Sequence, residues 1–205
     1  MQAHSLRKLL TLVCSVLLAV GLSASAAVAE QQHRAQSSSS FAKTHDVRFY
    51  SNDDFVKAFG VKKALAFNIP LPADTSPAGV LSPQDPPQPW YKIDWATKDW
   101  NGRDIPTRHG DSNFGFVHAC DDHSMCAEKP MTAPYHGYPD KWTSSTRAEY
   151  YGVVVIDNEP TIKITSVAEF GHSGPNGAAP PDGRAIGTVT SYCQGMTYCP
   201  YWINV

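Results

Sequence analysis

The hydrophobic pattern divides the chain into a leader, a short helix and a set of strands. Leu9 to Leu22 is an apolar run behind Arg7 and Lys8, and a small-residue stretch after it closes on Ala27-Val28-Ala29. This is the order of a secretory signal peptide. At about 14 residues the run is shorter than the ~20 that a membrane span needs. Residues 1–29 are therefore expected to be removed on export. Residues 30–44, with Gln31-Gln32 and Ser37 to Ser40, show no periodicity and read as a disordered leader. Residues 45–205 are expected to form a single secreted domain.

Within that domain, Val47 to Tyr50 suits a short strand. Ser51 and Asn52 offer helix caps, Asp53 and Asp54 suit the positive helix end, Phe55 and Phe59 fall at i and i+4, and Gly60 is a stop. Together they predict a two-turn helix over 53–59. Ala64 to Ile69 reads as a strand. Pro70 to Pro89 holds seven prolines and cannot be regular helix or central strand, so it is expected to be an extended arm. Phe114 to Cys120 reads as a strand, and Thr143 to Glu149 as one turn of helix. Tyr150 to Ile156, the turn Asp157-Asn158-Glu159-Pro160 and the alternating Thr161 to Val167 predict an antiparallel hairpin. A Gly/Pro loop over 171–183 leads to a strand over 185–193, with a last short strand over 201–205. The fold class is α+β and β-rich: a compact domain of mainly antiparallel strands with one or two short helices, stapled by disulfides.

Cysteine usage sharpens this. Cys14 leaves with the signal, and Cys120, Cys126, Cys193 and Cys199 remain, an even number for an oxidising compartment. Both neighbouring pairs are spaced C-x5-C. Local pairing needs two tight loops, and crossed pairing would constrain more of the unfolded chain. The short loops and Gly195 favour the local arrangement, and spacing alone does not exclude the other. His118, Cys120, His123 and Cys126 are all metal-ligand types, but their spacing is not that of a zinc finger or ribbon. No metal and no cofactor is expected. Without the signal the chain carries 15 basic and 19 acidic residues, a net charge of −4. That excludes the basic footprint of a nucleic-acid binder, and nothing after the signal suits stable membrane insertion. The compartment expected is extracellular or periplasmic.

Chemistry concentrates around the first cysteine pair, where His118, Asp121, Asp122 and His123 surround a cross-link. Histidine beside a carboxylate is equipment for general acid–base catalysis. Asp94-Trp95, then Phe114-Gly115-Phe116, then Cys120-x-x-His123 resembles the microbial secreted phospholipase A2 family, in which His123 would be the base that activates water. Ser124 stands where that family has a calcium-binding aspartate, and Pro130 and Pro134 interrupt its long helix. At the other end, the strand 185–193 running into Cys193-x5-Cys199 resembles the ending of OB-fold receptor-binding subunits of secreted AB5 toxins, which implies glycan binding. His109, His136 and His172 sit alone in polar loops. No G-x-S-x-G, H-E-x-x-H, P-loop or G-x-G-x-x-G occurs.

Aromatic residues are abundant: Trp90, Tyr91, Trp95 and Trp100 in one cluster, and Tyr135, Tyr138, Trp142, Tyr198, Tyr201 and Trp202 beyond it. Such rings stack on sugars and dominate interfaces when exposed, and fill cores when not. The sequence therefore points to a binding or interaction module for an extracellular glycan or protein, with Trp90, Tyr91, Trp95 and Trp100 as contacts. The alternative is an extracellular hydrolase using His123 or His118 with Asp121 or Asp122.

Overall fold

The computed structural model describes residues 41, 43–69, 90–174 and 177–205. The expected signal peptide, most of the expected leader and the Pro-rich arm 70–89 lie outside the described residues. The elements run β1 (Val47–Ser51), α1 (Asn52–Ala66), β2 (Ile93–Lys98), β3 (Asp104–Arg108), α2 (Gly115–His123), α3 (Glu128–Thr132), a 3-10 turn (Ala133–His136), β4 (Lys141–Trp142), β5 (Arg147–Ile156), β6 (Glu159–Glu169), β7 (Gly187–Cys193) and a final 3-10 turn (Tyr201–Ile203). The class is the expected mixture, antiparallel throughout, with more helix than foreseen.

The hairpin of β5 and β6 is the centre of the fold. Asp157 and Asn158 at its tip have φ of 52° and 69°, values that short polar side chains tolerate and that match the twist of a tight hairpin. β1 pairs with β5 and β7 with β6, giving the order β1-β5-β6-β7, while β4 adds a short rung on β5. β2 and β3 form a separate two-stranded sheet. Among the described residues the larger sheet runs as an open path from β1 to β7, not as the closed barrel that the toxin-subunit resemblance implies, and a β-sheet stands at the centre where the phospholipase resemblance implies helices.

Strand alternation splits the larger sheet into two faces. One presents Ala148, Tyr150, Val154, Ile162, Ile164, Ala168 and Cys193. It packs under α2, α3, the first 3-10 turn and β3 through Ala119, Met131, Tyr135 and Ile105. On the other face, Val153 and Val155 are covered by Phe55 and Ala64 of α1 and by Ile69 beyond it. β3 is held against β7 by a 2.7 Å bond between the Thr107 and Thr188 hydroxyls. Gly187, at φ 83°, permits that approach, since an added Cβ would lie 1.8 Å from the Pro106 carbonyl oxygen.

Both cysteine pairs are local, Cys120–Cys126 and Cys193–Cys199. In the chain-entropy picture each small ring contributes roughly 2 kcal/mol. The rings are also joined to each other. The Cys199 amide donates to His123 O (2.8 Å), the Cys126 amide to Asn204 Oδ1 (2.7 Å), and Asn204 Nδ2 to Ser124 O (2.9 Å).

Four local expectations are corrected. Phe114–Cys120 is no strand: Gly115, at φ 81°, turns the chain into α2, whose buried Ala119 faces the core. Asp121, Asp122 and His123 are the last turn of that helix. Ala64–Ile69 is not a strand either. The helix opened by the Ser51 cap (Asp54 N to Ser51 Oγ, 3.1 Å) breaks at Gly60 (φ 80°, ψ 158°) and then resumes to Ala66, because Ala64 finds an apolar seat on the sheet. Thr143–Glu149 is a turn fastened by Ser144 Oγ, which accepts from the amides of Thr146 (3.1 Å) and Arg147 (2.9 Å), and β5 starts there. At the C-terminus the expected strand is a 3-10 turn behind Pro200, which has no amide to offer a ladder.

Candidate functional site

Among the described residues, α1 and Ile69 cover one face of the large sheet around Val153 and Val155. Beyond Val153, its outward positions are Glu149 and Tyr151 on β5, Lys163 and Thr165 on β6, and Tyr192 on β7, with Gln194 just after it. Register sets them in rows: Tyr151 opposite Thr165 and Thr165 opposite Tyr192, with Val153 opposite Lys163. These side chains, with Asn52 at the start of α1, Asn68 just past its end, and the backbone of Gly152 and Gly195, line a cavity of about 390 Å³. That volume is in the range of sites for small ligands.

The lining is polar and ordered. Tyr151 Oη donates to Glu149 Oε2 (2.7 Å), and Lys141 Nζ lies 3.2 Å from Glu149 Oε1. Gln194 Nε2 donates to Thr165 Oγ1 (3.0 Å), and Lys163 Nζ to Asn68 O (2.6 Å). Burial, with the bond to Glu149 second, holds the Tyr151 phenol well above its ordinary range, so it is a neutral donor. Burial also lowers the Lys163 ammonium.

Asp140 supports two of the lining residues from behind. It accepts from Asn52 Nδ2 (2.9 Å) and from the Tyr151 amide (2.7 Å). Burial is the largest influence on it and raises it to about 6 against an ordinary 3.8. Those two hydrogen bonds oppose the rise, and Asp53 and Glu149 add to it. A carboxyl raised on folding favours the folded state below its unfolded value, and that contribution is lost as pH climbs through the folded value. Asp140 therefore makes stability fall between about pH 4 and pH 6, by roughly 3 kcal/mol for a gap of this size. Urea midpoints of the wild type and Asp140→Asn between pH 4 and 7 will show it: the variant lacks this downward slope. An unchanged slope in Asp140→Asn assigns it to another group.

The residues expected from sequence do not gather in one place. Trp90 is buried at 3% exposure, packed with Phe114 and Ile186. Tyr91 is partly exposed, edge-on to Trp90 at 5.8 Å. Trp95 packs on Phe116 (5.3 Å), with its indole nitrogen buried and unpartnered. Trp100 is exposed, with Lys57 Nζ 4.2 Å over its ring and Tyr138 at 5.6 Å. The histidine cluster does form. His118 Nδ1 lies 2.8 Å from Asp122 Oδ2 and 2.9 Å from Ser112 O, and its ring is 5.2 Å from that of His123. His123 is 5.5 Å from the ring of Tyr192, which lines the cavity, while neither histidine is part of the lining. Asp121 is exposed and takes no part. Among the described residues no three His, Cys, Asp or Glu side chains are placed to hold a metal, and no helix is long and apolar enough to cross a membrane.

Sequence reasoning missed the cavity residues. A signal existed, since Glu149-x-Tyr151, Lys163-x-Thr165 and Tyr192-x-Gln194 are polar pairs at strand period, but ordinary solvent-facing positions look the same. No protein-family model matches the chain, and no curated protein matches it.

Proposed function

We propose that the protein is an exported binding module whose sheet-face cavity takes a saccharide. The observation that carries this reading is the cavity itself. It is concave, and the phenols of Tyr151 and Tyr192 stand among the amides of Asn52, Asn68 and Gln194 and the hydroxyl of Thr165. Neutral polar groups of this kind match the donor and acceptor pattern of sugar hydroxyls, and phenol rings supply flat apolar faces for sugar C–H surfaces. Two disulfides suit the oxidising side of a membrane, and the signal-like leader gives the route there. Domain limits of 45–205 belong to the same proposal.

Screening the exported protein against immobilised neutral and acidic oligosaccharides tests it. Saturable binding is expected, weakened about tenfold or more in Tyr192→Ala, with the melting temperature changed little because that residue is not core. Failure of every saccharide to bind, or binding indifferent to Tyr192, overturns the reading. Retention of a protein instead would move the site to the exposed Trp100–Tyr138 surface.

One observation favours a second reading, a hydrolase. The His118–Asp122 contact fixes the imidazole by Nδ1 and leaves Nε2 for proton transfer. Turnover of any bound saccharide that disappears in His118→Ala would establish it, and binding without turnover would exclude it.

A further inference from the structure

We infer that the cavity selects saccharides bearing a carboxylate, and that Lys163 seats that group. The inference rests on the saccharide reading and goes beyond it, because it concerns charge. The cavity lining contains one carboxylate and one ammonium. Glu149 is occupied on both oxygens, by Lys141 and by the Tyr151 hydroxyl. Lys163 is not matched. Among the described residues no carboxylate pairs with it, and its Nζ is held by the Asn68 carbonyl at 2.6 Å and lies 5.4 Å from the Phe67 ring. An ammonium has three N–H donors, so two remain for a ligand.

Position along the sheet separates the two charges. Lys163 lies opposite Val153, and Val153 is four residues from Glu149 along β5. At strand spacing that offsets their backbone positions by about 13 Å along the sheet. An anion at Lys163 meets a Glu149 whose carboxylate is already paired with Lys141 and bonded by the Tyr151 hydroxyl. The surroundings penalise the uncompensated ammonium, and an arriving anion relieves that penalty.

The choice of carboxylate over phosphate follows from the donor set. Phosphate sites bring several positive groups or a guanidinium fork to one point, whereas a single ammonium matches a single negative charge. The rest of the ligand meets neutral groups. Gln194 follows Lys163 across the sheet, its backbone amide on Lys163 O at 2.9 Å. Its side-chain nitrogen is used by Thr165. Asn52 uses its nitrogen on Asp140. Each amide thus keeps its oxygen to accept from a hydroxyl and a second N–H to donate to one. A uronic-acid-type sugar joins these requirements in one ring: an acid group at one carbon and hydroxyls at its neighbours.

Calorimetric titration with matched ligands decides it. The exported protein is titrated with uronic acid oligosaccharides, their methyl esters, sulfated oligosaccharides and the neutral parent sugars. The acids are expected to bind about tenfold tighter than their esters, as a charge-assisted hydrogen bond in a shielded site implies. In Lys163→Met the acid and its ester are expected to bind with equal affinity, and Lys163→Arg restores a preference. Circular dichroism melting checks that the variants are folded. Equal affinity for acid and ester, a preference that survives in Lys163→Met, or tighter binding of the sulfated sugars each overturns the carboxylate assignment and leaves the saccharide reading standing. If no sugar binds, both fall.

Discussion

Replacing Asp99 with alanine is expected to remove about 3–5 kcal/mol of stability, a large part of the ~5–15 kcal/mol that holds a domain together. Asp99 has no exposed side-chain surface. It accepts from the amides of Asn101 (3.0 Å) and Arg103 (2.9 Å), from Arg103 Nε (2.7 Å) and from Tyr150 Oη (2.8 Å). Arg103 in turn lies over the rings of Trp142 (4.8 Å) and Phe170 (4.6 Å). Alanine at 99 leaves a shielded guanidinium without its counter-ion and a core phenol without an acceptor. Asp99→Asn keeps an oxygen and should lose less. Urea unfolding gives the comparison, and a loss below about 1 kcal/mol in Asp99→Ala would mean that water enters and replaces the carboxylate.

Arg108→Met should cost a similar amount, about 3 kcal/mol, through a different mechanism. The Arg108 side chain is fully buried and ties β3 to two remote segments. It donates to both Asp182 oxygens (3.0 and 2.9 Å), to Tyr91 O (2.7 Å) and to Ala185 O (2.9 Å). Methionine fills part of the volume and satisfies none of these acceptors. The expected signature is local as well as global: trypsin cuts faster after Arg184, even though that side chain keeps its own pair with Asp104. Arg108 also holds the Asp182 carboxyl below its ordinary range. A depressed carboxyl contributes stability above its unfolded value that is lost as pH falls through the folded value, so the variant should lose less on acidification below about pH 4. Unchanged cleavage at Arg184 would show that the loop is held by something other than Arg108.

Legibility in the sequence followed the range of the interactions. The β5–β6 hairpin could be read because alternation and an Asp-Asn turn are local facts. The Ser51 cap was local too, and so was the break at Gly60, though not the resumption of helix beyond it. The segment 114–120 failed because Phe-Gly-Phe imitates strand alternation, while the cause of the helix is Gly115. There the chain passes so close to Arg108 that an added Cβ would lie 2.7 Å from its carbonyl oxygen. Aromatic content could not say which rings face outward: Trp90 fills the core and Trp100 does not. The cavity was hidden for the same reason, since three strands and both ends of α1 contribute to it, and no short window of sequence contains them.

A straight helix of 15 residues would hold its ends about 22 Å apart. Asn52 and Asn68 nevertheless border one small chamber, which requires the bend at Gly60. The width of the chamber is thus set by a backbone bend at a residue outside its lining. Relatives that differ at residue 60, or in the number of residues between the two asparagines, should differ first in the size of molecule they admit, while their cores stay alike.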